Sequence, residues 1–359
     1  MGYTTYLFSA NIFVTPYFGF KGFDHFELIT RGPPKIVSPK ETAEITELSR
    51  EGLFKATIKL IKRHKYGLLF RSFIQKMVLN RYFVMKLYSM LTSWPLDMGV
   101  SQLIQRIKKV KFNEPAFIMV NLMEMHGPYP TLINSIELNY ITLKNWAGNI
   151  NTSLFERYRK GYEAEIIYLS KKLPELLRIF KQKGLLDNSL VIITSDHGQL
   201  LGEHNKVNHG TFLYDELIRV PLWIRYPWEI KVSDPGYRYI SLISLRKLIL
   251  DIAKETLKDD GILYSPVVFS EVYGTHIDYS KIPLSPEERA RLEELEKYRI
   301  AVYHKDVKAV FNVTDWKFEE VKSYTKGREV PEEHIKYIKK QIIKFLKTKA
   351  ITTIPKGIL

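Results

Sequence analysis

Three apolar runs of strand length, AFIMVNLME at 116–124, SLVIITSDHG at 189–198 and VPLWIRYP at 220–227, lie between long stretches of helical periodicity. That alternation admits few folds. An uninterrupted apolar run is the pattern of a strand buried on both faces, and a helix between two such strands is the crossover that a parallel sheet needs. Helical spacing is read over 41–110, broken at Trp94-Pro95, then over 151–184 and 240–257. The opening GYTTYLFSANIF, rich in aromatic and β-branched residues, predicts a further strand. The expectation is an α/β protein in which a mainly parallel sheet is sandwiched by helices over residues 1–260, with a basic helical insertion at 41–111.

From about residue 262 the texture changes. VVFSEVYG, YRIAVYHKD, VKAVFNVTD and KFEEVKSY are short runs separated by turns, and predict a small antiparallel sheet in a second region, 261–359. Ser285-Pro286-Glu287-Glu288 has the form of a helix start with a capping box. Pro331-Glu332-Glu333 opens the last helix, where Ile335, Ile338, Ile342, Phe345 and Leu346 form an apolar stripe.

The chain has no cysteine, which excludes disulfides, zinc–thiolate sites, iron–sulfur clusters and a cysteine nucleophile. Its formal net charge is +15, and most of it sits in one segment: residues 55–111 hold thirteen Lys or Arg against the single acid Asp97, a net of +12. Such a concentration attracts something anionic. Three readings stay open: a lid drawing in polyanionic substrates, an interfacial helix on an anionic lipid surface, or a packed helical pair with a solvated basic side. Phe70, Phe73, Tyr82, Phe83, Tyr88 and Trp94, interleaved with the cations, suit the second. Nucleic acid is disfavoured, because no nucleic-acid module is recognisable. No apolar run is long enough for a transmembrane helix and no signal peptide is read, which leaves the cytoplasm as the default location.

Ligands of open α/β sheets bind just beyond the carboxyl ends of the strands. His126 occupies such a place after the 116–124 run, and Asp196 with His197 after the 189–198 run. A carboxylate next to an imidazole is a common pair of divalent-metal ligands, although an aspartate capping a turn beside a solvated histidine is the blander reading. Gly198 permits a sharp turn there. Glu203, His204, Lys206 and His209 follow, a group able to donate protons or neutralise an oxyanion.

The whole string, SDHGxxxGEHxxxxHGxxLYDExxRVPLxIRxP at 195–227, resembles the motif region of the sulfatase family of the alkaline phosphatase superfamily. HGPYP at 126–130 is similar to that family's His-x-Pro-Tyr/Phe element. The resemblance spans residues 2–38 and 115–255, and more weakly 263–325. It implies an alkaline phosphatase-like fold and metal-dependent hydrolysis of a sulfate or phosphate ester. The family's metal ion activates an alcohol-type nucleophile and clamps the ester oxygens. Carried onto this chain, Asp196 and His197 match metal ligands, with calcium ahead of manganese, magnesium or zinc. His126 and His209 match catalytic positions that contact the ester oxygens or the leaving group, and Lys206 a substrate-oxyanion contact. The family's nucleophile, in a Cys/Ser-x-Pro-x-Arg motif or as a threonine, and the acidic ligands of its first strand belong upstream of the segment similar to residues 2–38. The expectation is therefore a sulfatase-like chain that lacks them as written. Two alternatives accompany it: a phosphodiesterase or phosphotransferase of the same superfamily, and an inactive module that binds anionic glycans or membrane surfaces.

Overall fold

A computed structural model of the chain describes residues 2–29, 37–49, 52–79, 87–88, 90–91, 94–131, 135–236, 238–280 and 282–348. They fall into two compact units, one of residues 1–142 with 150–185, the other of residues 143–149 with 186–359.

In the first unit the strand Thr4–Ser9 lies between His25–Leu28 and Ala116–Asn121, all parallel, with Tyr6 level with both His25 and Ile118. Its central position explains its composition: Tyr6, Leu7 and Phe8 are at most 2% exposed. The helix Val100–Lys109 buries Val100, Leu103, Ile104 and Ile107, the spacing that puts one stripe against a core. The helix Thr152–Gln182 starts where the Asn151 side chain accepts the Leu154 N–H at 3.2 Å, and ends just before Gly184 in the left-handed conformation. Its Phe180 meets Phe112, which also packs edge-on against Tyr6. Ala116–Asn121 departs from the expected burial on both faces. Each of its residues is only half-buried, because among the described residues it is hydrogen-bonded along one side alone, to Thr4–Ser9.

The basic segment is helical as its spacing predicts, with helices Leu53–Lys62 and Tyr66–Leu79 following Pro39–Ser49. They meet around Val37, Leu48, Ala56, Leu60 and Leu68. Tyr82 and Phe83 lie outside the described residues. No described helix is long and apolar enough to cross a membrane.

In the second unit, Val191–Thr194 pairs with Leu222–Arg225, Val191 opposite Arg225. Both runs are strands as read, but they are antiparallel to each other rather than members of one parallel sheet. The reason is the connection: between them the longest helix is the single turn Asp215–Ile218, too short for the crossover that parallel neighbours need. Among the described residues, parallel strands are thus found in the small three-stranded sheet of the first unit, and the second unit adds an isolated parallel bridge between Lys231 and Asp259. The C-terminal sheet is antiparallel in chain order, Val267–Tyr273, Tyr298–His304, Val307–Asn312 and Lys317–Ser323. The helix Glu332–Thr348 buries His334, Ile338, Ile342 and Leu346, and the last three pack on Ile300, Val302, Ala309 and Phe311. Phe345 stacks on Phe269, while Ile335 is half-buried and His334 takes the inward place one turn before Ile338. The capping box at Ser285 is present, the Ser285 hydroxyl accepting the Glu288 N–H at 3.2 Å and the Glu288 carboxylate accepting the Ser285 N–H at 2.9 Å.

Candidate active site

The polar turn after Val191–Thr194 begins with Asp196 and His197. The Asp196 side chain is 86% exposed, and its Oδ1 lies 3.8 Å from His197 Nε2. His197 Nδ1–H donates to the Gly198 carbonyl at 2.8 Å, which puts the ring's lone pair on Nε2, the form in which imidazole ligates a metal. Gly198 itself is required by packing rather than by the sharp turn expected of it. Its N–H donates to the Leu217 carbonyl, and a Cβ at this position would lie 1.9 Å from the Glu216 carbonyl oxygen. Gly198→Ala is accordingly expected to destabilise the second unit by about 1–3 kcal/mol, the range of overpacked sites, measured by urea unfolding.

His209 is carried back to the same place by the short hairpin Leu200–Leu201 with Val207–Asn208. Its ring stacks on His197, centroids 4.0 Å apart and planes 21° apart, and its Nδ1–H donates to the Gln199 amide oxygen at 3.0 Å. Gln199 and the stacking on His197 thus fix the orientation of the His209 ring. His276 also lies near the His209 ring, centroids 5.6 Å apart and planes nearly parallel at 6°. Gly210, at φ +114°, makes room for it, since a Cβ there would fall 2.4 Å from His276 Nδ1. His276 also lines a cavity of 530 Å³ with Thr275, Asp278, Tyr279, Arg289 and Glu293 among others. Sequence reasoning missed this histidine: it stands in a loop after Val267–Tyr273, some sixty-seven residues beyond His209, and its one local signal is a Thr-His-Ile-Asp turn.

The other sequence candidates lie as follows. Lys206 is on the same loop, and its ammonium donates to the Asn145 and Trp146 carbonyls, both at 3.2 Å, above the Phe212 ring. Burial, with Arg291 nearby, draws its pKa below the usual lysine value. His204 stacks on Tyr214, centroids 3.8 Å apart, and meets Glu216 at 3.2 Å, while Glu203 accepts the Leu201 N–H at 2.6 Å; both hold the loop's shape. His126 belongs to the first unit, where its Nδ1–H donates to the Gly127 carbonyl at 2.6 Å.

The loop is anchored from behind by Asp215. This carboxylate accepts hydrogen bonds from Lys308 Nζ at 2.9 Å, from Tyr324 at 2.6 Å and from Tyr303. Burial pushes its pKa up, but those three donors outweigh burial and hold it well below the ordinary aspartate value.

Whether this turn suits a divalent ion depends on its donors. Asp196 offers an exposed carboxylate and His197 an imidazole, donor types right in chemistry for such an ion. They are two donors where such an ion takes four or more, and among the described residues no three His, Asp or Glu side chains converge to hold one.

Comparison with known proteins places this chain in a family. The Sulfatase family model matches residues 52–254, more than half of the chain, and the chain belongs to this family. Among curated relatives, an N-acetylglucosamine-6-O-sulfatase of Bacteroides thetaiotaomicron is 31% identical over 119 residues, 33% of this chain and 21% of that protein. An arylsulfatase of Clostridium perfringens is 22% identical over 190 residues, 46% of this chain and 39% of that protein. The matched region thus spans about a fifth to two fifths of these relatives' own length. A solved 2-O GAG sulfatase superposes with a TM-score of 0.48 at 13% identity, covering 97% of this chain and 71% of that one.

Proposed function

We propose that the chain hydrolyses sulfate monoesters in the manner of its family, with Asp196 and His197 as two ligands of a divalent cation, calcium first, and His209 as the proton donor to the departing alcohol. The observation that carries this reading is the stacking of His209 on His197, 4.0 Å apart, at a strand end inside the family-matched span. When bound, the ion supplies charge that withdraws electrons from the ester oxygens. The residues named here serve orientation and proton transfer to the leaving alcohol; the nucleophile that takes the sulfuryl group is not among them. The Gly198 carbonyl orients the His197 ring, and Gln199 orients the His209 ring through its Nδ1. Lys206, held on the same loop, contributes positive charge towards the ester's oxyanion, and the cavity beside His276 takes part of the alcohol.

The test compares two sulfate esters, one with an acidic phenol as leaving group and one with an alkyl alcohol, together with a phosphate monoester and a phosphate diester. A proton donor matters most when the leaving group is poor. His209→Ala is expected to lower alkyl sulfate turnover by roughly 100-fold or more while costing much less on the aryl ester. Equal losses on both esters, or full activity in the variant, remove His209 from that role. A preference for either phosphate ester would overturn the sulfate assignment.

A further inference from the structure

The helices Leu53–Lys62 and Tyr66–Leu79 each carry more apolar surface than their packing uses. On the first, Ala56 and Leu60 already face the core formed with Val37, Leu48 and Leu68. Yet Phe54, Ile58 and Ile61 make a second apolar stripe at i, i+4, i+7, with exposures of 79%, 37% and 42%. The next helix repeats the device: Leu68 is buried, while Tyr66, Phe70 and Phe73, again at i, i+4, i+7, are 56%, 64% and 58% exposed. Single exposed apolar side chains are ordinary, but two consecutive helices with ordered apolar stripes on the solvent side form a patch of the kind that marks an interaction surface.

The surroundings say what covers it. The stretch 55–111 has a net charge of +12, and Lys55 and Lys62, both exposed, flank the first stripe at each end. Arg63 and Lys65 are engaged by Glu44, Arg71 by Glu41, Arg106 by Glu27 and Lys108 by Glu175, so at least five of the stretch's thirteen cations are spent inside the first unit. Asp97 is the one acid within the stretch, so the balance of its positive charge is not matched there. Aromatic and aliphatic side chains interleaved with lysines fit the boundary of an anionic bilayer, where rings enter the acyl region and ammonium groups meet lipid phosphates. A polyanionic glycan would use the lysines but offer nothing apolar to six exposed hydrophobic residues. No described helix is long and apolar enough to cross a membrane. We propose that residues 53–73 form a docking surface for anionic lipid bilayers, lying in the plane of the interface.

The test is co-sedimentation of the full chain with vesicles of phosphatidylcholine containing about 30% phosphatidylserine, against vesicles of phosphatidylcholine alone and immobilised heparin. Binding to the mixed vesicles is expected to exceed that to neutral ones by about tenfold and to weaken in high salt. The triple variant Phe54→Ser, Phe70→Ser, Phe73→Ser is expected to lose about tenfold in vesicle affinity while its heparin retention is unchanged. Should that variant lose its native circular dichroism, the charge pair Lys55→Glu, Lys62→Glu provides the second reading, with the same loss expected on mixed vesicles. Equal vesicle binding by the wild type and a folded variant, or heparin binding with no vesicle binding, overturns the proposal.

Discussion

Lys308→Met is expected to lower the unfolding free energy by about 3 kcal/mol, the lower end of what breaking a buried ion pair costs. Lys308 is fully buried in the strand Val307–Asn312, and its ammonium has two named acceptors, the Leu213 carbonyl at 2.6 Å and Asp215 at 2.9 Å. Methionine fills similar volume, so the loss measures electrostatics rather than a cavity. It leaves Asp215 half-enclosed with Tyr303, Tyr324 and a longer contact to Lys322 at 3.6 Å. The effect reaches function through the backbone. Asp215 opens the turn Asp215–Ile218, and the Leu217 carbonyl of that turn holds the Gly198 N–H beside His197. On the proposed function, hydrolysis by the variant is therefore expected to fall at temperatures where unfolding is still negligible. Urea unfolding and turnover at 25 °C check both halves. The acid limb gives a third check. Because the Asp215 pKa is lower folded than unfolded, its stabilisation is present above the unfolded value near 3.8 and is lost as the pH falls towards the folded value. A double variant, Lys308→Met with Asp215→Leu, should recover much of the loss, since a matched apolar pair replaces a buried ionic one at little net cost.

The local chemistry of this chain was legible where it depended on near neighbours. The capping box at Ser285, the Asn151 start and Gly184 stop of the long helix, and the Asp196-His197 pair at a strand end each rest on residues within a turn of one another. What pairs at long range was not. Lys308 alternates with Val307 and Ala309 in a strand, and a charged residue between apolar ones reads as the solvent face; only the arrival of Asp215, ninety-three residues earlier in the chain, makes burial tolerable. An apolar run such as AFIMVN is the same string in the middle of a sheet as at its margin, so its half-burial could not be read. The direction of Leu222–Arg225 was likewise hidden, because strand polarity follows from the length of the connection and not from the strand's own residues. His276 was missed for the same reason as Lys308: its partners, His209 and Trp146, are distant in sequence. The exposed stripes of the basic helices were half legible. Their periodicity is in the sequence, but which of two apolar faces is used by the core depends on Val37 and Leu48.

Glu165→Gln is expected to make the protein more stable at pH 7 by up to roughly 3 kcal/mol and to leave it unchanged near pH 4. Glu165 lies within the helix Thr152–Gln182, is fully buried, and neither of its carboxylate oxygens has a hydrogen-bond partner among the described residues. Burial, and then the charges of Glu124 and Asp97, push its pKa from 4.5 to about 9. Those two neighbours are themselves buried but satisfied, Glu124 by the Val100 N–H at 2.7 Å and Asp97 by the Gly99 N–H at 3.0 Å. Glu165 is thus protonated when the chain is folded at pH 7 and ionised when it is unfolded. The sign follows directly. Stability is fully present below the unfolded value near 4.5 and is lost as the pH rises through the window from there to about 9. At pH 7 the loss amounts to two and a half pH units at ~1.4 kcal/mol each, less whatever the denatured chain retains in structure. Glutamine is the neutral isostere of the protonated form, so it preserves the shape and removes the dependence. Glu124, whose pKa burial also raises, contributes a residual slope in the same direction. Urea unfolding of both proteins at pH 4.5, 7 and 8.5 measures this. Parallel stability curves for the wild type and the variant would mean that Glu165 stays ionised in the fold, and that a cation meets it there.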